Sequence, residues 1–363
     1  MAVQYYLMNK DVIVAEVEMT ESYGEERFVL NKQTDDYLPY GFRDMNHWLE
    51  GRQAAKHRRH LAELMKTCGC YKKSGFISMT RCASLTDSFW VKRADDTLNW
   101  ADVNLYENKF DDVVARIAFD GTGLYGQKFS PTTPELSTSG SFEKCWVRDD
   151  EGIALVKRGT EGACNAGMEP YSEALCSQLG DALGYRHVPY KVMRYHDKLA
   201  SKCPVFTDAD RGFVNMAAYT EKEAFVETML ELCSSLGCED DFRRMLIFDA
   251  VTVNVDRHSG NYGFVVDNAT GEVQGLAPLF DHNLALFPYL MEQDDVEEYY
   301  RGQGPRLGGD FIETARAVLT PELMADLVNL ESFEYKDPGE GLPEWKLKLC
   351  NELKDRQIKA ILA

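Results

Sequence analysis

Residues Leu246 to Asn283 read LIFDAVTVNVDRHSGNYGFVVDNATGEVQGLAPLFDHN. Asp241 to Val251 has the apolar spacing of a helix, with Met245, Leu246, Phe248 and Ala250 as its contacts. A polar loop follows, Asn254-Val255-Asp256-Arg257-His258-Ser259-Gly260-Asn261. Two strands are then expected, Tyr262–Val266 and Glu272–Phe280. They flank Asp267-Asn268-Ala269-Thr270-Gly271, which has turn chemistry. The second strand runs into Phe280-Asp281-His282-Asn283. Two polar clusters therefore fall at the same end of one hairpin, and they supply Asp256, Asn261 and Asp281.

An aspartate followed five residues later by an asparagine is the spacing of a phosphoryl-transfer loop. There the aspartate accepts the substrate proton, the asparagine holds magnesium, and a hairpin delivers a second metal-binding aspartate. Asn261 and Asp281 are the hard oxygen ligands that magnesium takes. A polar hairpin rim built from turn-forming residues is the plainer reading of the loop alone. The order Asp256-Arg257-His258 also differs from the His-Arg-Asp order of protein kinases.

Composition narrows the remaining classes. The chain has 363 residues, enough for two or three domains, and 44% hydrophobic residues, enough for a large core. A net charge of −19 repels phosphate backbones, so no direct nucleic-acid partner is expected. No apolar run reaches the length of a membrane span, and the start lacks the pattern of an export signal. The expectation is a cytoplasmic protein without a membrane partner, with its ten cysteines reduced. Cys68-Gly-Cys70 has no second pair to complete a zinc site.

Residues 1–115 read as a mixed α+β accessory region. Asp11–Met19 suggests a strand, and Asp44–Cys68 a helix, with Gly51 as the point where it would break. That helix carries a basic stretch, Arg52, Lys56, His57, Arg58, Arg59 and His60, suited to an acidic partner or simply to solvent. Phe76–Lys92 reads as short extended pieces, and Trp100–Tyr106 as a short helical turn.

Residues 130–145, SPTTPELSTSGSFEKC, form either a linker or a loop whose small residues admit an anion to backbone N–H groups. Strands Phe142–Val147 and Ile153–Lys157 follow, joined by a turn over residues 149–152. A loop on one strand and Lys157 on the next place a cation under phosphates; alone, Lys157 would read as an edge-strand lysine. A helix is expected over Glu169–Leu183, opened by Pro170 and closed by Gly184. Either Glu169 or Glu173 is available to pair with Lys157. Strands Val188–Met193 and Leu199–Phe206 complete the layout of a small kinase lobe. Val205 and Phe206 stand where a chain crosses between lobes and meets an adenine ring. Helices are expected over Glu221–Leu236, Asp240–Val251, from Thr320-Pro321-Glu322, and from Leu342-Pro343-Glu344 to about Ile361.

Together, Ser137-Thr-Ser-Gly-Ser-Phe-Glu-Lys-Cys-Trp146, Leu155-Val-Lys157, Glu173, Asn254-x-Asp256-Arg257-His258-x-x-Asn261 and Phe280-Asp281 resemble the HipA-like family. This is a bacterial group of Ser/Thr kinases related in fold to phosphoinositide 3/4-kinases. The resemblance covers roughly residues 125–330. It implies an α+β, two-lobed protein-kinase-like fold: an N-terminal α+β extension (1–115), a small β-rich lobe (116–215) and a mainly helical lobe with the catalytic hairpin (216–363).

The resemblance also implies ATP and Mg2+ as cofactors and a protein substrate, which the sequence does not name. Asp256 would be the catalytic base, and Asn261 and Asp281 the metal ligands. Lys157 would hold the phosphates, with Glu173 as its partner. Ser139, Gly140, Ser141, Val205, Phe206 and His258 would contact the nucleotide. Ser137 matches the serine that family members phosphorylate on themselves, with Ser139 and Ser141 also open to that role. His282-Asn283 replaces the glycine-containing turn often found after the metal aspartate. A nucleotide-binding regulator with little turnover, and a small-molecule or lipid kinase, are the competing readings.

Overall fold

The computed structural model describes residues 2–34, 37–54, 60–121, 129–130 and 132–363. The chain divides into two compact units. Met1–Lys157, Val205–Val214 and Val265–Gln274 form the first; Arg158–Pro204, Asn215–Phe264 and Gly275–Ala363 form the second.

The first unit opens with a meander, β1 (Val3–Asn9), β2 (Val12–Ser22) and β3 (Glu25–Gln33). Only part of β2 was legible as a strand. β3 buries just Phe28, so it shows no alternation to read. Helices α1 (Met45–Arg52), α2 (Leu61–Cys68) and α3 (Lys73–Thr80) follow. Asp44 starts α1 by accepting from the N–H groups of Asn46 and His47, as an N-cap does. The helix expected over 44–68 is thus two, and the first ends one residue past Gly51, where a break was expected. Lys56, His57, Arg58 and Arg59 lie outside the described residues. Arg52 is no part of a solvated or docking face: it is buried, paired with Asp87, and donates to the carbonyls of Cys82 and Phe89, both at 2.8 Å.

The extended pieces expected from Phe76 are corrected to α3, which buries Phe76 and Ile77. β4 (Phe89–Arg93) then joins the sheet in the antiparallel order β3-β2-β1-β4. After α4 (Trp100–Val103) and α5 (Asp112–Asp120), the core holds Leu7, Val17, Leu49, Leu64, Phe76 and Ile117 together. A 3-10 turn, Pro134–Ser137, leads into the antiparallel hairpin β5 (Lys144–Asp149) and β6 (Gly152–Arg158).

The second unit takes up the chain with α6 (Glu169–Leu183), which has Pro170 in its first turn and left-handed Gly184 at its end. The hairpin β7 (Lys191–Tyr195) and β8 (Lys198–Pro204) packs on α6. Val205 returns the chain to the first unit, where its N–H donates to the carbonyl of Ile153 at 3.0 Å. An unanticipated strand follows, β9 (Arg211–Asn215). α7 (Met216–Tyr219) comes next, and the helix expected over 221–236 is α8 (Val226–Ser235), which starts five residues later.

Next come α9 (Glu239–Thr252), β10 (Gly263–Asp267) and β11 (Val273–Leu276), with the sheet order β11-β10-β9. The chain ends through α10 (Val296–Arg301), α11 (Phe311–Val318), α12 (Pro321–Asn329) and α13 (Glu344–Leu362). α9 packs against α8, α11 and α13, and its Phe242, Ile247 and Phe248 are fully buried. Among the described residues no helix is long and apolar enough to cross a membrane.

Candidate functional site

The second unit gathers Asp256, His258, Asn261 and Asp281 around one buried arginine. α9 ends with Asp249 in its last turns, and Val253, left-handed at φ +48°, turns the chain out of the helix. Asp249 then binds Arg257 through both carboxylate oxygens, Nε at 2.8 Å and Nη2 at 2.9 Å. Nη1 of the same guanidinium donates to the carbonyls of Asn261 at 2.7 Å and Phe280 at 2.8 Å. Nη2 also lies 2.8 Å from Nε2 of His282. Arg257 therefore ties the loop bearing Asp256 and Asn261 to the segment bearing Asp281. Burial opposes its charge, but the Asp249 carboxylate outweighs burial and holds its pKa above the ordinary value.

The segment reaching Asp281 is not the long strand expected. β11 stops at Leu276, and Pro278, without an N–H, cannot extend the ladder. Leu279 instead makes one parallel bridge to His187, donating to the carbonyl of Arg186 and accepting from Val188. Asp281 itself is left-handed, at φ +61°, and its N–H donates to the hydroxyl of Tyr190 at 3.3 Å. A left-handed aspartate is uncommon, and here it re-aims the chain directly after the bridge.

Within the loop, Nδ2 of Asn261 donates to the carbonyl of Asp256 at 3.0 Å. That bond orients the amide and leaves Oδ1 as its free acceptor among the described residues. The Asp256 carboxylate faces Arg306, with Oδ1 3.8 Å from Nε. Burial raises the pKa of Asp256 most, and the Asp281 charge adds to it, while His258, Arg306 and Arg257 pull the other way. His258 is folded onto its own loop, its Nδ1 accepting from Gly260 at 3.0 Å.

The donor set fits magnesium: an amide oxygen and a carboxylate, with phosphate and water left to complete the shell. Among the described residues no group of three or more His, Cys, Asp or Glu surrounds one point, and an ion completed by phosphate does not need one. Elsewhere in this unit, Glu173 is fully buried in α6 and accepts a short hydrogen bond from Ser201. Glu169 is occupied by Thr160 at 2.5 Å and Tyr289 at 2.8 Å.

The first unit holds the remaining expected residues. Lys157, the residue before the end of β6, stands opposite Lys144 on β5, and both side chains are buried. Facing residues of an antiparallel pair share one side of the sheet, so two ammonium groups share that side. Lys144 also donates to the carbonyl of Ser139 at 2.9 Å, drawing the Ser139-Gly140-Ser141 loop over the hairpin. Gly140 is left-handed at φ +91°, and a Cβ there would stand 2.3 Å from the Lys144 ammonium. Ser139, Gly140 and Ser141 are exposed.

Ser137 is half-buried, its hydroxyl donating to the carbonyls of Ala83 at 2.8 Å and Pro134 at 3.2 Å. Val205 packs against the cluster of Ala83, Leu85, Leu105 and Ile153, and Phe206 meets Phe213 edge-on at 5.5 Å. Lys144, Asp249, Tyr190 and Arg306 were not singled out from the sequence. Of these, only Lys144 carried a signal, since strand pairing across a short turn sets it opposite Lys157.

No family model matches the chain, and no curated protein matches it. Solved structures do. HipA of the Shewanella oneidensis MR-1 toxin–antitoxin system, solved with HipB and its operator DNA, aligns at a TM-score of 0.55 and 12% identity, covering 98% of this chain and 96% of that one. The Helicobacter pylori proinflammatory kinase CtkA aligns at a TM-score of 0.46 and 18% identity, covering 60% of this chain and 92% of that one. The protein has a HipA-like fold.

Proposed function

We propose that this protein is an ATP- and magnesium-dependent protein serine/threonine kinase. The observation that carries the reading is the Arg257 guanidinium, which joins the carbonyls of Asn261 and Phe280 and so holds a base and two metal ligands as one cluster. Asp256 accepts the proton of the acceptor hydroxyl as that oxygen attacks the terminal phosphorus of ATP. Its carboxylate suits this role because the described residues offer it no hydrogen bond that would quench its basicity. Asn261 and Asp281 hold magnesium, which neutralises charge on the phosphates. Lys157, assisted by Lys144, binds phosphate oxygens beneath the Ser139–Ser141 loop. Val205 and Phe206 line the adenine side, and His258 keeps the base loop in shape.

Catalysis on this reading is positioning plus charge stabilisation. Ser137 is the proposed site of self-phosphorylation. A phosphate there breaks both of its hydroxyl hydrogen bonds and adds negative charge to a half-buried site, so it opens the loop and lowers activity.

The test is intact mass after incubation with magnesium and ATP, beside Asp281→Ala. One added phosphate in the parent alone, mapped to Ser137, supports the assignment. Asp256→Asn that transfers phosphate at the parent rate would end it.

A further inference from the structure

Cys233 and Cys238 close the turn between α8 and α9. The N–H of Cys238 donates to the carbonyl of Cys233 at 2.9 Å, that of Gly237 to Ser234 at 3.1 Å, and Gly237 is left-handed at φ +70°. This is a Schellman turn, which sets the side chains at its two ends against each other; that contact is commonly apolar. Here both are thiols, so the turn sets two sulfurs where that apolar contact usually lies. The backbone bond and standard backbone dimensions keep the two Cα atoms within about 6.8 Å, inside the span that a disulfide bridges.

The surroundings favour a reactive sulfur at one end. Cys238 stands at the N-terminus of α9, where a thiolate is stabilised. The Cys233 thiol beside it lowers its pKa most, and the Leu276 N–H and Arg186 add to this against burial and Asp241. Cys238 is also the more accessible of the two, 5% exposed against none for Cys233. By contrast, burial pushes both Cys68 and Cys70 up to about 12.

We propose that Cys233 and Cys238 are a redox-responsive dithiol that a peroxide closes into a disulfide. The Cys238 thiolate attacks the peroxide, breaking its O–O bond; one oxygen stays as the sulfenic acid and the other leaves as water after taking a proton. The Cys233 sulfur then attacks the sulfenic sulfur. The S–S bond forms, the S–O bond breaks, and the hydroxyl leaves with the Cys233 proton as a second water. The two thiols together lose the two electrons that the peroxide gains. This proposal rests on the α8–α9 turn alone and is independent of the kinase reading.

The experiment treats the reduced full-length protein with graded hydrogen peroxide, alkylates the remaining thiols and digests with trypsin. Both cysteines lie in the single peptide 223–243. The expected result is that peptide unalkylated and lighter by two hydrogens, restored by dithiothreitol, at doses that leave Cys68 and Cys70 alkylated. In Cys238→Ser, Cys233 should stay alkylated at those doses. If the peptide carries two alkyl groups at doses that oxidise exposed Cys164, the proposal fails. It fails equally if Cys238 passes to the sulfinic acid without bonding Cys233.

Discussion

Asp249 grips Arg257 through both carboxylate oxygens at 2.8 Å and 2.9 Å, and both side chains are buried. The pair is the root of the proposed site, because the other donors of Arg257 reach Asn261 and Phe280. Removing one partner of a buried pair leaves an uncompensated charge. Asp249→Asn should therefore cost about 3–5 kcal/mol of stability, read as a lower midpoint in urea. It should also weaken the magnesium dependence of phosphate transfer more than Asp249 substitution by Glu.

The Asp256 carboxyl is held above its ordinary value, chiefly by burial. A base must be ionised, so kcat/KM should fall as pH drops through that raised pKa, above the usual aspartate range. Arg306→Gln removes a stabilising cation and should move this acid limb to still higher pH. Asp256→Asn should reduce transfer on the order of 10²–10⁴-fold with ATP affinity retained. Because the raised pKa disfavours the ionised fold, Asp256→Asn should not lower stability at neutral pH.

Lys144 predicts a split between binding and turnover. Its ammonium supports the Ser139 carbonyl and shares a sheet face with Lys157. Lys144→Met should raise the KM for ATP about 10- to 100-fold, the worth of a hydrogen bond to a charged group, with a smaller effect on kcat. Steady-state kinetics at varied ATP decides this.

Lys346 on α13 is buried and donates to the carbonyl of Phe287, whose backbone is left-handed at φ +55°. Burial lowers its pKa from 10.5 to about 8. Between those values the unfolded chain holds a proton that the folded protein has released, so stability should rise with pH across that window, by about 3 kcal/mol at most. Lys346→Met should lack that rise, as urea unfolding on both sides of the window would show.

Strong local punctuation made some elements legible. Pro170 and Gly184 delimit α6, which spans Glu169–Leu183 as expected, and Thr320 caps α12 by accepting from Leu323. Elements lacking such signals were missed or misread. α3 has no capping side chain and depends on burying Phe76 and Ile77 beneath the sheet. β3 is an exposed edge, and β9 is a short strand completed by β10. The end of β11 was misplaced because an apolar run continues past Pro278, whose missing amide ends the ladder.

The sequence by itself determined the chemistry available: Asp256, Asn261 and Asp281 at a spacing suited to a metal-assisted transfer, and Lys157 behind a loop of small residues. Those are local patterns, set by residue type and interval. What only tertiary structure decided is how they are held. Asp249 lies eight residues before Arg257, and Phe280 twenty-three after it; a guanidinium can join them only once α9, the loop and the segment after β11 have packed around it. No interval along the chain records that, because the bonds are made by burial and by backbone carbonyls that every residue possesses.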